Sequence, residues 1–215
     1  MPVKSENTIL HGAVGELEAV IDHQADKLSQ DYIAVCCHPH PEHGGAMTNK
    51  VIYTASRTLA SLGVTSIRFN FRGVGKSEGD YADGIGEQDD LVAVVDWSRR
   101  EYPDKRLILC GFSFGAYISA MQAVDLSTGL LISIAPPIGR IEFTNFQRPD
   151  CPWLIIQGAD DELVDAKKVE SWAHKFPEPP ELILMPETSH FFHGKLTPLR
   201  TTIESFVLPI LSPEQ

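Results

Sequence analysis

Six short runs, most of them largely apolar, alternate with amphipathic segments along most of this chain. The apolar runs have the length of buried strands, and they are Tyr32 to Cys37, Thr65 to Phe69, Arg106 to Cys110, Leu130 to Ile134, Trp153 to Gln157 and Leu182 to Met185. Segments with a helical spacing of apolar residues separate or follow them: Lys50 to Leu62, Glu87 to Glu101, Phe114 to Val124, Ala166 to Lys175 and Lys195 to Phe206. This alternation predicts an α/β fold with a mainly parallel sheet and helices on both faces.

The beginning of the chain has a different pattern. Apolar and polar residues alternate around Thr8 to His11 and Gly15 to Asp22, with Val14-Gly15 between them. Such a pattern predicts an antiparallel hairpin at one edge of the sheet. In open parallel sheets, reacting groups collect just beyond the carboxyl ends of the strands, so we search those positions for chemistry.

Length and charge narrow the possible functions. The 215 residues suit one domain spanning 1–215, and the net charge of −11 opposes binding to nucleic acid or to an anionic membrane. The chain shows neither a signal peptide nor an apolar run long enough to cross a bilayer, and its four cysteines lack Cys-x-x-Cys spacing. We therefore expect a cytoplasmic protein with reduced thiols. A homodimer is compatible with this sequence, although no pattern specifies one.

The segment Gly111-Phe112-Ser113-Phe114-Gly115 has the G-x-S-x-G pattern of a nucleophile elbow. It directly follows an apolar strand and opens a helical segment, which is the context that the motif requires. Glycines two residues before and after the serine allow strand and helix to approach closely, and the helix N-terminus favours developing negative charge. We therefore predict that Ser113 is a nucleophile.

An attacking serine needs a base, and the base needs an orienting acid. In folds with this elbow the chain order is serine, acid, histidine. The loop after Trp153 to Gln157 offers three consecutive acids, of which Asp161 fits the hydrolase pattern Gly-x-x-Asp-x-x-Val and Asp160 is the alternative. His190 is the first histidine beyond the last strand, and we predict it as the base.

A histidine-rich loop, His38-Pro39-His40-Pro41-Glu42-His43-Gly44-Gly45, follows the strand that ends at Cys37. A metal site is one interpretation, but two prolines stiffen the loop and the spacing is not that of a helical zinc site, so we predict no metal. The alternative is an oxyanion hole, which needs one backbone N–H from this loop and one from the residue after the nucleophile. His40 and Phe114 are the predicted donors, since the flanking prolines have no N–H.

Taken together, these motifs resemble a small bacterial branch of the α/β-hydrolase superfamily, related to dienelactone-hydrolase-like proteins and lidless esterases. Besides the elbow, the resemblance rests on HPHPEHGGAMTN at 38–49, FNFRGVGKS at 69–77 and SHFFHG at 189–194. It implies an eight-stranded sheet, the triad Ser113, Asp161 and His190, no cofactor, and esterase or thioesterase activity on small acyl substrates. Asn70 stands where an aspartate is commoner, so we assign no chemistry to that loop.

The connection from Ala135 to Cys151 is too short and too rich in proline to hold a lid domain. We therefore expect an open cleft suited to short acyl groups, bordered by Phe112, Phe143, Phe146 and Phe191.

The sequence leaves two alternatives to ester hydrolysis open. One is a different reaction on the same triad, such as peptide cleavage, acyl transfer or perhydrolysis, and the other is a hydrolase fold kept as a binding protein.

Overall fold

The computed structural model describes residues 2–24 and 31–211. Within these ranges, eight strands form one sheet in the order β1-β2-β4-β3-β5-β6-β7-β8. The strands are β1 Lys4–His11, β2 Glu16–His23, β3 Tyr32–Cys37, β4 Thr65–Phe69, β5 Arg106–Phe112, β6 Leu130–Ile134, β7 Trp153–Gly158 and β8 Glu181–Met185. Strands β3 to β8 run parallel, whereas β1 and β2 form an antiparallel pair at one edge. The predicted fold class is confirmed.

In the part of the chain that the structure describes, five α-helices cover both faces of the sheet. They are α1 Lys50–Ser61, α2 Gly86–Glu101, α3 Phe114–Gln122, α4 Ala166–Ala173 and α5 Leu196–Leu211. The apolar sides of α1 and α5 pack on one face, and those of α2, α3 and α4 pack on the other. Side chains of β3 alternate between these two cores, as strand geometry requires, which explains why the whole strand is apolar in sequence. None of the helices in the described ranges combines the length and apolar character needed to cross a membrane.

Two elements extend beyond their predicted bounds by more than two residues, β1 at its start and α5 at its end. Strand β1 begins at Lys4, four residues before the predicted Thr8. This earlier start was not predicted because the first residues of this edge strand are exposed and show no alternation of apolar and polar side chains. Helix α5 continues to Leu211 and includes Pro209, which lies in its last turn. The first strand of the hairpin and the last helix are therefore both longer than predicted.

The connection between β6 and β7 is compact. Between Ala135 and Pro152, all of which the structure describes, turns, bends and one isolated bridge between Ile138 and Ile141 occur, with no helix or strand. The carboxyl ends of β3, β5, β7 and β8 therefore remain uncovered by any inserted domain. Their loops form the candidate site.

Candidate active site

Ser113 occupies a strained turn between β5 and α3. Its φ of 52° and ψ of −116° lie outside the regions that a non-glycine residue normally adopts, at a cost of about 1–3 kcal/mol. The Ser113 N–H donates to the Ile134 carbonyl at 2.9 Å, which ties the turn to β6. Added Cβ atoms would overlap backbone carbonyls, of Gly115 in the case of Gly111 and of Cys37 in the case of Gly115. The glycines thus permit the close approach of strand and helix that the elbow requires.

Ser113, His190 and Asp161 form one hydrogen-bonded chain. The Ser113 hydroxyl lies 3.0 Å from Nε2 of His190, and Nδ1 of the same ring lies 2.8 Å from Oδ2 of Asp161. Because a carboxylate can only accept, Nδ1 carries the proton and Nε2 is free to accept from Ser113. His190 is 2% exposed, so the chain is shielded from water except at the serine.

The loop after β7 fixes the orienting carboxylate. Asp161 accepts the backbone N–H groups of Leu163 and Val164 at 2.8 and 2.7 Å and the Gln157 side-chain amide at 2.9 Å. Burial raises the pKa of Asp161, but the His190 hydrogen bond and these N–H donors outweigh burial and hold the pKa below its ordinary value. The carboxylate therefore stays charged at neutral pH.

The other two acids of this loop lie elsewhere. Asp160 is exposed, and its backbone N–H donates to the Thr188 carbonyl, so its carboxylate takes no part in the chain. Glu162 accepts the backbone N–H of His190 at 3.1 Å and so helps to hold the histidine loop. Of the three acids, the geometry selects Asp161, the one that the loop pattern favours.

Unpaired backbone N–H groups of the described residues occur on both sides of the cavity-lining Ser113 in sequence, in the histidine loop and at the start of α3. Within the described residues, neither the His40 N–H nor the Phe114 N–H is hydrogen-bonded. Phe114 is the first residue of α3, where helical N–H groups lack an intrahelical acceptor and the helix dipole is positive. The pair has the chemistry of an anion-binding position.

His38 anchors the loop that carries His40. Its ring is fully buried, with Nδ1 2.6 Å from the Pro39 carbonyl and Nε2 accepting the Phe71 N–H at 3.0 Å. Burial lowers the pKa of His38 to about 4, so the ring is neutral, donating at Nδ1 and accepting at Nε2. Asn70 holds the far end of the same loop by accepting the Met47 N–H at 2.8 Å. The segment after β4 therefore supports the histidine loop structurally.

A cavity of about 350 Å³ opens beside Ser113. Part of its lining, here called the aromatic wall, consists of the contacting rings of His40, His43, Tyr81, Phe114 and Tyr117. The remaining lining residues are Asp83, Ser113, Pro137, Arg140, Ile141, Leu163, Val164 and His190. A second cavity of about 270 Å³ also reaches Ser113 and His190 and is bordered by Phe191, which is 41% exposed.

Three of the four predicted border residues do not line either cavity. Phe112 is fully buried, with its ring centroid 5.2 Å from that of His190, so it supports the histidine from behind. Phe143 and Phe146 turn inward against Trp172, 5.2 and 5.5 Å away between ring centroids, because this aromatic cluster fills the space under the β6–β7 loop. The prediction for these three phenylalanines was wrong, whereas Phe191 lies at the site.

Comparison with known proteins identifies the family. A family model of the α/β-hydrolase fold matches residues 35–127. A crystal structure from Xanthomonas campestris, described as a member of the α/β serine hydrolases without lid, superimposes with a TM-score of 0.93 at 46% identity over 100% of this chain and 98% of that one. The chain belongs to the lidless α/β-hydrolases. The hydrolase is also similar to an α/β serine hydrolase homologue from Coxiella burnetii, at TM-score 0.88, 43% identity and coverage of 92% and 95%. An uncharacterized protein from Rickettsia prowazekii is 34% identical over 84% of this chain and 80% of its own.

Several lining residues of the hydrolase were not found from sequence. Tyr81, Tyr117, Arg140 and Leu163 lie in long loops or on a helix face, where no period or motif marks them. Only Leu163 carried a sequence signal, since it lies two residues after the predicted acid Asp161. Among the described residues, no three His, Cys, Asp or Glu side chains converge to form a group that could hold a metal ion.

Proposed function

We propose that the protein hydrolyses small carboxylic esters or thioesters through Ser113, with His190 as general base and Asp161 as orienting acid. The observation that supports this most directly is the continuous chain of two hydrogen bonds, 3.0 and 2.8 Å long, from the serine to the aspartate. Its ends lie at the carboxyl edge of the sheet, beside a cavity that a small substrate can enter.

In the acylation step, His190 takes the Ser113 proton as the hydroxyl oxygen bonds to the substrate carbonyl carbon. The carbonyl π electrons move to the oxygen, which the N–H groups of His40 and Phe114 stabilise. Collapse of this intermediate breaks the bond to the alcohol or thiol, and His190 returns its proton to that leaving group. The products are the free alcohol or thiol and an acyl ester on Ser113.

Deacylation repeats these steps with water. His190 removes a proton from water as its oxygen attacks the acyl carbon, and the proton then passes to the Ser113 oxygen as the acid leaves. The two cavities that meet at Ser113 accommodate the two parts of the ester on either side of the cleaved bond. The neutral, buried His38 keeps the oxyanion loop in place without competing for protons.

The proposal is tested by the hydrolysis of 4-nitrophenyl butyrate by the wild type and matched variants. We expect Ser113→Ala and Asp161→Asn each to lower kcat by about a thousandfold or more, as loss of a nucleophile or of an orienting acid does. Asp160→Asn makes the same charge change one residue away and should retain wild-type activity. Equal activity of the Ser113→Ala variant and the wild type would overturn the proposal.

A further inference from the structure

Arg140 is the single lysine or arginine among the described residues that line the site cavity. It extends from the β6–β7 loop, close to the acid-bearing loop after β7. Arg140 is exposed, and its Nη1 donates to the Leu163 carbonyl at 2.9 Å, which holds the side chain against the rim of the cavity. A guanidinium has five N–H donors, so this one bond leaves donors available to a ligand.

A tight turn presents Arg140 in this position. The Pro137 carbonyl accepts the N–H groups of Arg140 and Ile141, at 3.1 and 3.0 Å, and Gly139 has a φ of 79°, which glycine adopts without strain. The turn lies where a lid would have to be inserted. The short connection that leaves the cleft open therefore also places a cation at its edge.

Arg140 forms no ion pair within the described residues. No described carboxylate lies within 4.0 Å of its guanidinium, whereas five other arginines form ion pairs: Arg57, Arg68, Arg72, Arg148 and Arg200. The carboxylate that lines the same cavity is Asp83, and it is not paired with Arg140. Asp83 adjoins Gly84, which packs on Tyr117 and Phe114, so it belongs to the aromatic wall. Among the described residues, the lining of this cavity thus contains one cationic side chain, Arg140, and one carboxylate, Asp83.

We propose that Arg140 binds an anionic group, a carboxylate or a phosphate, that the substrate carries in addition to the bond that is cleaved. This inference rests on the proposed ester hydrolysis and assigns its substrate class. In a protein of net charge −11, a substrate anion would otherwise meet a repulsive surface, so a local cation is needed to retain it. The planar fork of an arginine suits carboxylate and phosphate oxygens.

The test compares anionic esters with neutral ones of matched shape. With the anion on the acyl side, mono-4-nitrophenyl adipate is compared with 4-nitrophenyl 6-methylheptanoate, each corrected for spontaneous hydrolysis. With the anion on the alcohol side, 4-(butanoyloxy)benzoate is compared with 4-(butanoyloxy)benzamide. We expect the wild type to prefer the anionic member in one of the two pairs, and that pair shows which part of the substrate occupies the Arg140 cavity.

Variants assign the preference to Arg140. Arg140→Gln should lower the ratio of kcat/KM for the anionic ester to kcat/KM for the neutral ester by about tenfold, the range of one hydrogen bond to a charged group. Any loss through the Leu163 contact affects both esters equally and cancels in this ratio. Arg140→Lys should retain part of the preference. Lys168→Gln is the matched control, because this exposed cation flanks Gly139 but does not line the site cavity.

The outcomes separate the two proposals. If neutral esters are cleaved through Ser113 but neither pair shows a preference that Arg140→Gln removes, the substrate class is wrong and the ester hydrolysis stands. An equal loss in Lys168→Gln would attribute the preference to general charge and would also overturn the role of Arg140. If Ser113→Ala leaves all four esters unaffected, the proposed function itself falls, and the substrate class falls with it.

Discussion

Asp161 shows how much one side chain depends on its neighbours at this site. The carboxylate accepts four hydrogen bonds, and the one from Gln157 ends on the same oxygen, Oδ2, that accepts from His190. Gln157 is fully buried on β7, and its own Oε1 has no partner within the described residues. A buried amide oxygen without a hydrogen-bond partner costs stability. We infer that Gln157 is tolerated at this position because its Nε2 group holds Asp161.

Replacing Gln157 should therefore affect the site more than the fold. We expect Gln157→Met to lower kcat/KM for a neutral ester by about tenfold, because Asp161 loses a charge-assisted hydrogen bond. The free energy of unfolding should fall by about 1 kcal/mol, because removal of the unsatisfied Oε1 offsets part of the loss of the Nε2 hydrogen bonds to the Gly158 and Val164 carbonyls. Gln122→Met, at the far end of α3, is the control and should keep full activity. Unchanged kcat/KM in Gln157→Met would refute the positioning role.

His38 should make stability depend on pH. Its pKa is about 4 in the folded chain and about 6.5 when exposed, so the unfolded chain binds more protons between these values and the free energy of unfolding decreases as pH falls through that window. The loss from pH 7 to pH 5 is about 2 kcal/mol for this one group. Urea titrations at both pH values should show a smaller change for His38→Asn than for the wild type. The exposed His11→Asn should behave like the wild type, and an equal change in both variants would contradict this assignment.

The elements meet at the site through close backbone approaches. Helix α3 passes so near the end of β3 that a Cβ on Gly115 would overlap the carbonyls of Cys37 and His38. Gly44, in the histidine loop, is the opposite case, since no atom lies within 4 Å of an added Cβ but φ is 76°. Gly115 is required because a side chain would overlap neighbouring backbone atoms, and Gly44 is required because its φ is positive.

These two glycines predict different costs on substitution. Gly115→Ala must separate two backbone segments, and we expect a loss of about 2–3 kcal/mol in unfolding free energy together with most of the activity. Gly44→Ala meets only conformational strain, with an expected cost of about 1 kcal/mol and activity retained. Urea denaturation and ester turnover measure both effects. A Gly115→Ala protein as stable and active as Gly44→Ala would contradict the proposed packing of the elbow.

Strands and helices with a clear pattern of apolar residues could be predicted from the sequence. The positions of side chains that depend on contacts between distant segments could not. The parallel strands and the elbow were found because burial on both faces leaves continuous apolar runs, and because Gly111 and Gly115 mark the close approach around Ser113. Phe143 and Phe146 were misplaced because an apolar residue in a loop fits a cleft and a core equally well. The aromatic cluster that buries them forms only once α4 brings Trp172 beneath the loop. Arg140 was missed because its cavity is assembled from segments far apart in sequence.

For the whole molecule, the open carboxyl edge determines what can react. The compact β6–β7 turn leaves two cavities, of about 350 and 270 Å³, that converge on Ser113. Spaces of this size suit small substrates, and no inserted domain in 135–152 provides an apolar surface for a long chain.

Acyl length should therefore control turnover. We expect kcat/KM for 4-nitrophenyl esters to be highest for acetate to butyrate, lower for octanoate and lowest for laurate, because longer chains extend beyond the cavity into water. Steady-state rates below the micelle-forming concentrations of the esters provide the measurement. A preference for laurate over butyrate would show that the cleft is not the short-chain site described above.

The most direct test of the central claim is covalent labelling by a fluorophosphonate, which reacts only with an activated serine. Intact-mass and peptide mass spectrometry should find one label per wild-type chain, on Ser113. The labelling rate should fall by about a hundredfold or more in His190→Ala and in Asp161→Asn, and should remain unchanged in Asp160→Asn. An unlabelled wild type, or a label on a different residue, would contradict the assignment of Ser113, His190 and Asp161 as a working triad.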